Sequence, residues 1–176
     1  MQRRNFLLNT AVAVGAFTLL SKRSFASWIA DPGYQFKPLR NNVGMFAEQG
    51  GTIAWLVNKE GIVVVDAEFP DQATHLIAEL KKQSDKPFQW LINTHHHGDH
   101  TSGNISFKGL VKNVAAHANS LTNQKNSAVA QKKEDQQLYP DTTYTDNWKI
   151  KVGDENIQAH YFGPGHTNGD SMIHFE

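Results

Sequence analysis

Residues 94–100 read Thr-His-His-His-Gly-Asp-His, and no other segment of this chain has side chains with clearer chemistry. Four of its imidazole and carboxylate side chains are candidate ligands for zinc or iron: His95, His97, Asp99 and His100. In an extended segment, His95 and His97 point to the same side, whereas His96 points away. Gly98 then has the backbone freedom to turn the last two ligands towards the same region. This spacing predicts two neighbouring sets of metal ligands on one loop.

A second motif, Gly-Pro-Gly-His-Thr-Asn-Gly-Asp, occupies residues 163–170 and places His166 66 residues after His100. The first motif resembles the HxHxDH signature of the metallo-β-lactamase superfamily. The second resembles the PGHTxG turn that carries the next histidine ligand of that family. The resemblance covers residues 34–176. It implies an α/β fold, a four-layer αβ/βα sandwich with the metal site along one edge of the two sheets.

The resemblance also implies how the ligands are divided between two metals. His95, His97 and His166 would form a first site that leaves one position open for water, the arrangement typical of catalytic zinc. Asp99 and His100 would belong to a second site. The complete protein is therefore expected to bind two zinc ions, with iron as the alternative metal. Asp99 is also the expected catalytic residue, because the family implies that it steers the attacking water or accepts its proton.

Other acidic and histidine residues receive more modest interpretations. Asp66 ends the apolar run of residues 62–66 and matches a family position that supports the metal loop, where a carboxylate holds a ligand histidine in one tautomer. An ordinary strand-end aspartate that caps a turn is an equally open interpretation. His117 is better explained as a residue at the start of a helix than as part of the pocket. Three isolated histidines are expected to have structural roles: His75, His160 and His174.

The chain contains no cysteine, which excludes thiolate metal ligands and disulfides within these residues. His100 stands where the cysteine-using zinc β-lactamases typically have arginine. The resemblance therefore favours the cysteine-free β-lactamases, glyoxalase II and the broader hydrolases of the family. Asp170 differs from the histidine that glyoxalase II commonly carries after this turn, which weakens that particular assignment.

The first 26 residues have the features of an export signal. Arg3-Arg4-Asn5-Phe6-Leu7 resembles a twin-arginine motif, a moderately apolar run follows to residue 20, and Ser24-Phe25-Ala26 suits a signal peptidase. The apolar run is short for a membrane span. We therefore predict a signal peptide over residues 1–26 and a mature domain over residues 27–176. The twin-arginine translocase would export a soluble periplasmic protein that keeps no stable membrane anchor.

Charge gives little indication of a macromolecular partner. The full chain has 17 Lys and Arg against 17 Asp and Glu. Four of the basic residues lie in the predicted signal, which leaves 13 against 17 and a formal charge of about −4. This balance gives no electrostatic footprint for nucleic acid. A small-molecule substrate is the expected partner.

The hydrophobic pattern predicts strands first and alternating helices and strands afterwards, which is typical of a mixed α/β protein. Helices are expected over residues 70–82 and 119–137. Strands are expected over residues 34–39, 43–47, 52–58, 62–66, 88–93, 111–116 and 172–175, with a hairpin over residues 148–152 and 157–162.

Together, the motifs and the signal predict an exported hydrolase that uses a zinc-bound hydroxide to cleave an ester, thioester, amide or phosphoester bond, with β-lactams among the amides. The alternative is a mononuclear iron oxidoreductase of the same fold, such as a persulfide dioxygenase, which uses two histidines and an aspartate. In the family, an aspartate that bridges both metals and a last histidine follow the PGHTxG turn. The chain is therefore expected to be C-terminally incomplete. If the protein truly ends at Glu176, a non-catalytic metal-binding protein is expected.

Overall fold

The computed structural model describes residues 33–176, which form two β-sheets with helices packed on one of them. The elements in chain order are β1 (Gln35–Arg40), β2 (Val43–Ala47), β3 (Ile53–Asn58), β4 (Gly61–Val65), α1 (Pro70–Gln83), β5 (Phe88–Asn93), α2 (Gly98–Thr101), β6 (Val111–His117), α3 (Ala118–Gln131), β7 (Thr142–Tyr144), β8 (Asn147–Val152), β9 (Glu155–His160) and β10 (Met172–Phe175), with short 3₁₀ helices over Ser102–Phe107 and Glu134–Gln136. The predicted signal peptide lies outside the described residues. No helix within residues 33–176 is long and apolar enough to cross a membrane.

The larger sheet contains β1 to β7 in sequence order, and the smaller one has the order β10-β9-β8. Strands β1 to β4 are antiparallel neighbours, whereas β4, β5, β6 and β7 run parallel. Parallel neighbours all finish at one edge of a sheet, so the residues that follow β4, β5 and β6 lie near one another. Asp66 follows β4, Thr94 follows β5, and His117 ends β6 at this edge.

Two apolar clusters separate the layers. In the first, one face of α1 packs against the larger sheet through Ala73, Leu76, Ile77 and Leu80. In the second, Val63, Val65 and Ile92 of the larger sheet lie against Val152 and Ile157 of the smaller one. Helix α1 begins with Pro70, whose fixed φ suits a first helical position. The described residues therefore supply a helical layer and two sheet layers of the predicted sandwich.

The second predicted helix, residues 119–137, is too long. Helix α3 ends at Gln131 because Lys132 adopts the left-handed conformation, with φ 56°. The backbone N–H groups of Lys132 and Lys133 then donate to carbonyls of the last helical turn. The sequence has no glycine or proline at this point, so no stop signal was visible.

Three other details differ from the sequence-based prediction. Helix α2 with its following 3₁₀ turn, and the short strand β7, were not predicted. Strand β9 spans Glu155–His160 instead of the predicted residues 157–162, and it starts early because Gly153 and Asp154 alone form the turn after β8. Gly153 has φ +62°, a conformation that glycine adopts without steric cost.

Candidate metal centre

Three histidines from two distant motifs converge at the edge where the parallel strands end. One ligand atom from each of His95, His97 and His166 lies within 4.8 Å of the other two. His97 Nδ1 and His166 Nε2 are 2.9 Å apart, although the two residues are 69 positions apart in the chain. His95 is buried, His97 is partly buried and His166 is exposed, so the group opens towards solvent.

Local structure explains how each side chain reaches this position. His95 lies just beyond β5. The Thr94 hydroxyl lies 3.0 Å from Nδ1 of His95, which leaves Nε2 to bind a metal ion. His97 is the residue that caps α2, with extended backbone angles. The loop that carries His166 is tied to the metal loop, because Ser171 N–H donates to the Thr94 carbonyl at 2.8 Å.

Asp170 folds the His166 loop back on itself. Its carboxylate accepts hydrogen bonds from the Thr167 N–H at 2.7 Å and from the Thr167 hydroxyl at 2.5 Å. Burial alone would raise the pKa of Asp170, but these hydrogen bonds outweigh it and hold the pKa below its usual value. In the sequence, Asp170 stood out only because it differs from the histidine of glyoxalase II. The structure shows that Asp170 shapes the turn.

The three-histidine group fits a metal ion. Nitrogen ligands about 2.1 Å from a tetrahedral zinc ion stand roughly 3.4 Å apart, close to the separations in this group. Without an ion, two ring nitrogens facing each other at 2.9 Å require that one of them carries a proton. Burial lowers the pKa of His95, which favours the neutral imidazole that a metal binds.

Asp99 and His100, the residues predicted for a second metal, lie beside the first group. The rings of His95 and His100 have centroids 4.1 Å apart, and His100 Nε2 is 3.5 Å from Asp99 Oδ2. The Asp99 side chain is 47% exposed, so it lies at the open rim. Within residues 33–176, these two side chains do not join a third residue in a second convergent ligand group.

Asp66 supports the metal loop through three hydrogen bonds. It is 2% exposed and accepts from the Thr94 N–H at 2.8 Å, the Thr94 hydroxyl at 2.7 Å and His100 Nδ1 at 2.8 Å. The bond to Asp66 raises the pKa of His100, and it fixes Nδ1 as the donor so that Nε2 faces Asp99. These bonds all join Asp66 to the metal loop, which is the contact that the first of the two interpretations expects.

The other histidines lie outside the ligand group. His96 borders a neighbouring cavity, and its buried Nδ1 has no hydrogen-bond partner among residues 33–176. His117 caps α3, where Nδ1 accepts from the Asn119 N–H at 3.2 Å and Nε2 donates to the Thr145 carbonyl at 3.0 Å. His75 pairs with the Glu48 side chain, and His160 forms a hydrogen bond with the Asn147 side chain. His174 lies exposed on β10.

A cavity of about 700 Å³ adjoins the metal loop. His97 belongs both to its wall and to the ligand group. The surrounding residues come from the start of α1, from the metal loop, and from α2, α3 and the segments that follow them, and include Phe69, Ser102, Ile105, Gln124, Gln131 and Gln137. Most of these side chains are uncharged and polar, so the cavity presents hydroxyl and amide groups beside the candidate metal site.

Sequence reasoning missed two residues that build this region. Thr94 contacts Asp66 and the His95 ring, and it precedes the first ligand directly. Glu68 is fully buried, and its carboxylate accepts hydrogen bonds from the loop after β2. Glu68 lies between a strand and a helix, where no hydrophobic period indicates which residues are buried.

The comparisons with known proteins agree with this geometry. A sequence model of the metallo-β-lactamase superfamily matches residues 48–176, and the chain therefore belongs to this superfamily. The chain is 28% identical to the metallo-β-lactamase type 2 of Elizabethkingia meningoseptica over 122 residues, which cover 69% of this chain and 46% of the relative. It is 43% identical to the linear primary-alkylsulfatase of a Pseudomonas species over 49 residues, which cover 27% of this chain and 9% of the relative. The chain thus spans less than half of either relative.

Solved structures confirm the predicted fold. A subclass B3 metallo-β-lactamase from a soil metagenome library superimposes with a TM-score of 0.63 at 21% identity, over 80% of this chain and 57% of that one. A metallo-β-lactamase from Pontibacter korlensis gives a TM-score of 0.64 at 17% identity, over 80% of this chain and 66% of that one. At these identities, the likeness concerns the fold alone.

Proposed function

We propose that this protein is an exported metal-dependent hydrolase, and that zinc is its metal. The observation that carries the proposal is the convergence of His95, His97 and His166 at the open edge of the sheet. Three protein ligands with a position left over is the arrangement of catalytic rather than structural zinc. Nitrogen donors also suit iron, so the choice of metal is part of the proposal.

A zinc ion held there would lower the pKa of a coordinated water to about 7 and polarise the bond to be cleaved. The protein's own residues would do the rest. Asp99, which is exposed at the rim, would accept a proton at its carboxylate from water. Asp66 keeps the His100 ring in one tautomer, with Nε2 towards Asp99. With Asp99, His100 would form part of a second metal site.

The proposed substrates are small molecules with an ester, thioester, amide or phosphoester bond. The cavity beside His97 gives room for the part of the substrate next to the cleaved bond. The names of the two relatives describe a β-lactamase and an alkylsulfatase, so a β-lactam and an alkyl sulfate both belong in a substrate panel. Export by the twin-arginine translocase to the periplasm, followed by cleavage after Ala26, completes the proposal.

Metal analysis of the full-length protein tests this function first. His97→Ala and His166→Ala should each remove tightly bound metal and hydrolysis of every panel substrate, because two nitrogens alone hold zinc poorly. His174→Ala, an exposed histidine outside the group, is the matched control and should retain both. Unchanged metal content in both ligand variants would refute the proposal. Iron in protein purified without added metal, together with oxygen uptake, would instead support an oxidoreductase.

A further inference from the structure

Glu68 is a fully buried carboxylate, and within residues 33–176 its hydrogen bonds all come from main-chain donors. Oε1 accepts from the Glu48 N–H at 3.0 Å, and Oε2 accepts from the Gln49 and Gly50 N–H groups, each at 2.9 Å. Bonds from neutral donors to an ionised carboxylate are stronger than ordinary hydrogen bonds. Three of them on one side chain fix the backbone of residues 48–50.

The backbone around Glu68 is itself held in a rare conformation. Asp66 has φ +66° and Glu68 has φ +47°, values that non-glycine residues seldom adopt. Main-chain bonds keep this segment in place, since the Gly103 N–H donates to the Glu68 carbonyl and the Ala67 N–H donates to the His100 carbonyl, each at 2.8 Å. The segment is thereby joined directly to the helix that carries His100.

The loop that Glu68 holds lies directly against the second predicted ligand set. The Gly51 N–H donates to the Asp99 carbonyl at 3.2 Å. A Cβ atom at Gly51 would lie 2.3 Å from Cε1 of the His100 ring, and one at Gly50 would lie 2.8 Å from the Asp99 carbonyl oxygen. Only glycine allows so close an approach, so the loop forms a wall against the His100 imidazole.

We infer that Glu68 is a positioning residue for His100. Its carboxylate fixes residues 48–50, and the adjoining Gly51 then restricts the His100 ring between Asp66 on one side and Asp99 on the other. The inference rests on the proposed function only in treating His100 as a ligand of the second metal. The restriction of the ring belongs to the metal-free protein and is measurable without any metal.

The experiment follows the ring nitrogens of the histidines by NMR in the metal-free, full-length protein. Glu68→Gln removes the negative charge while keeping the shape of the side chain, and Gly51→Ala displaces the loop while keeping the carboxylate. Gly51 has no left-handed φ, so the alanine tests space alone. In both variants, the His100 ring signals should shift or broaden, because the ring gains freedom.

Two controls separate positioning from a general loss of structure. His117, which has partners on both ring nitrogens, should keep its signals in both variants. Glu79→Gln changes a carboxylate that bonds Tyr34 and Lys82 instead of the loop, and it should leave the His100 signals unchanged. If Glu68→Gln does not fold, Gly51→Ala decides. Unchanged His100 signals in the folded variants, or equal changes at His117, would overturn the inference.

Zinc titration provides the second readout. If His100 is a ligand of the second metal, the variants should bind the first equivalent normally and the second at least tenfold more weakly. Uptake of a single equivalent by the unmodified protein would contradict the two-metal arrangement in the proposed function. In that case the NMR comparison still decides whether Glu68 positions His100.

Discussion

At the scale of single residues, Asp66 shows how one carboxylate serves several parts of the site. Its two oxygens accept from the Thr94 N–H, the Thr94 hydroxyl and His100 Nδ1. Because Asp66 is only 2% exposed, water cannot replace a lost partner easily. The same bonds thus hold the metal loop on the sheet and fix the orientation of a predicted ligand.

Asp66→Asn should therefore destabilise the metal-free protein. The amide NH₂ replaces one accepting oxygen and faces donors, and an unsatisfied buried group costs about 1–3 kcal/mol. Urea unfolding should show a decrease of roughly this size in the free energy of unfolding. Asp154→Asn, in the exposed turn between β8 and β9, serves as the control and should change it by less than about 0.5 kcal/mol. Equal effects of the two substitutions would show that the Asp66 bonds contribute little.

At the scale of elements, Tyr34 links the start of the larger sheet to α1. The Tyr34 hydroxyl, just before β1, donates to Glu79 of α1 at 2.6 Å. The centroid of its ring lies 5.1 Å from that of the Phe46 ring in β2 and 5.6 Å from that of the His75 ring in α1. These contacts hold the edge of the larger sheet to the helix that covers it.

The hydrogen bond between Tyr34 and Glu79 predicts that stability depends on pH in the alkaline range. The hydrogen bond to Glu79, with burial and the nearby charge of Glu48, raises the pKa of Tyr34 from 10.0 to about 12. A raised pKa favours the protonated phenol in the folded state. The extra stability is therefore fully present below about pH 10 and is lost as the pH rises from 10 towards 12.

Tyr34→Phe should remove that part of the pH dependence. The difference in free energy of unfolding between the two proteins should be constant up to about pH 9.5 and should shrink above it. Glu79→Gln keeps the aromatic ring and removes its charged partner, so it should reduce the same pH-dependent part. A difference that stays constant to pH 11.5 would show that Tyr34 titrates normally in the folded protein.

At the scale of the whole molecule, the candidate metal centre joins segments that are far apart in the chain. His97 and His166 are separated by 69 positions, and their motifs are linked by the bond between Ser171 and Thr94. The unfolded chain does not hold His95, His97 and His166 together. A metal ion should therefore bind the folded state much more tightly than the unfolded state. We therefore predict that metal binding and folding are coupled.

Removal of metal should consequently lower the melting temperature of the full-length protein. Zinc at 100 times its dissociation constant should stabilise the fold by about 2.7 kcal/mol, provided that the unfolded chain does not bind it. Calorimetry with zinc and with a chelator measures the difference. In His166→Ala the difference should be much smaller, because the three-histidine group is incomplete. A melting temperature of the unmodified protein that ignores zinc would contradict the assignment of the group.

The sequence alone determined the types of the candidate ligands, the mixed α/β class and most strands, because these depend on local spacing and hydrophobic period. The family followed from the resemblance of the two motifs, which the match to the superfamily model confirms. It did not determine the left-handed end of α3 at Lys132, where no glycine marked the stop. Nor did it reveal Glu68, because its three partners lie almost 20 positions earlier in the chain. Only the tertiary structure decides such contacts, since burial and hydrogen bonding between distant segments depend on how the strands pair and pack.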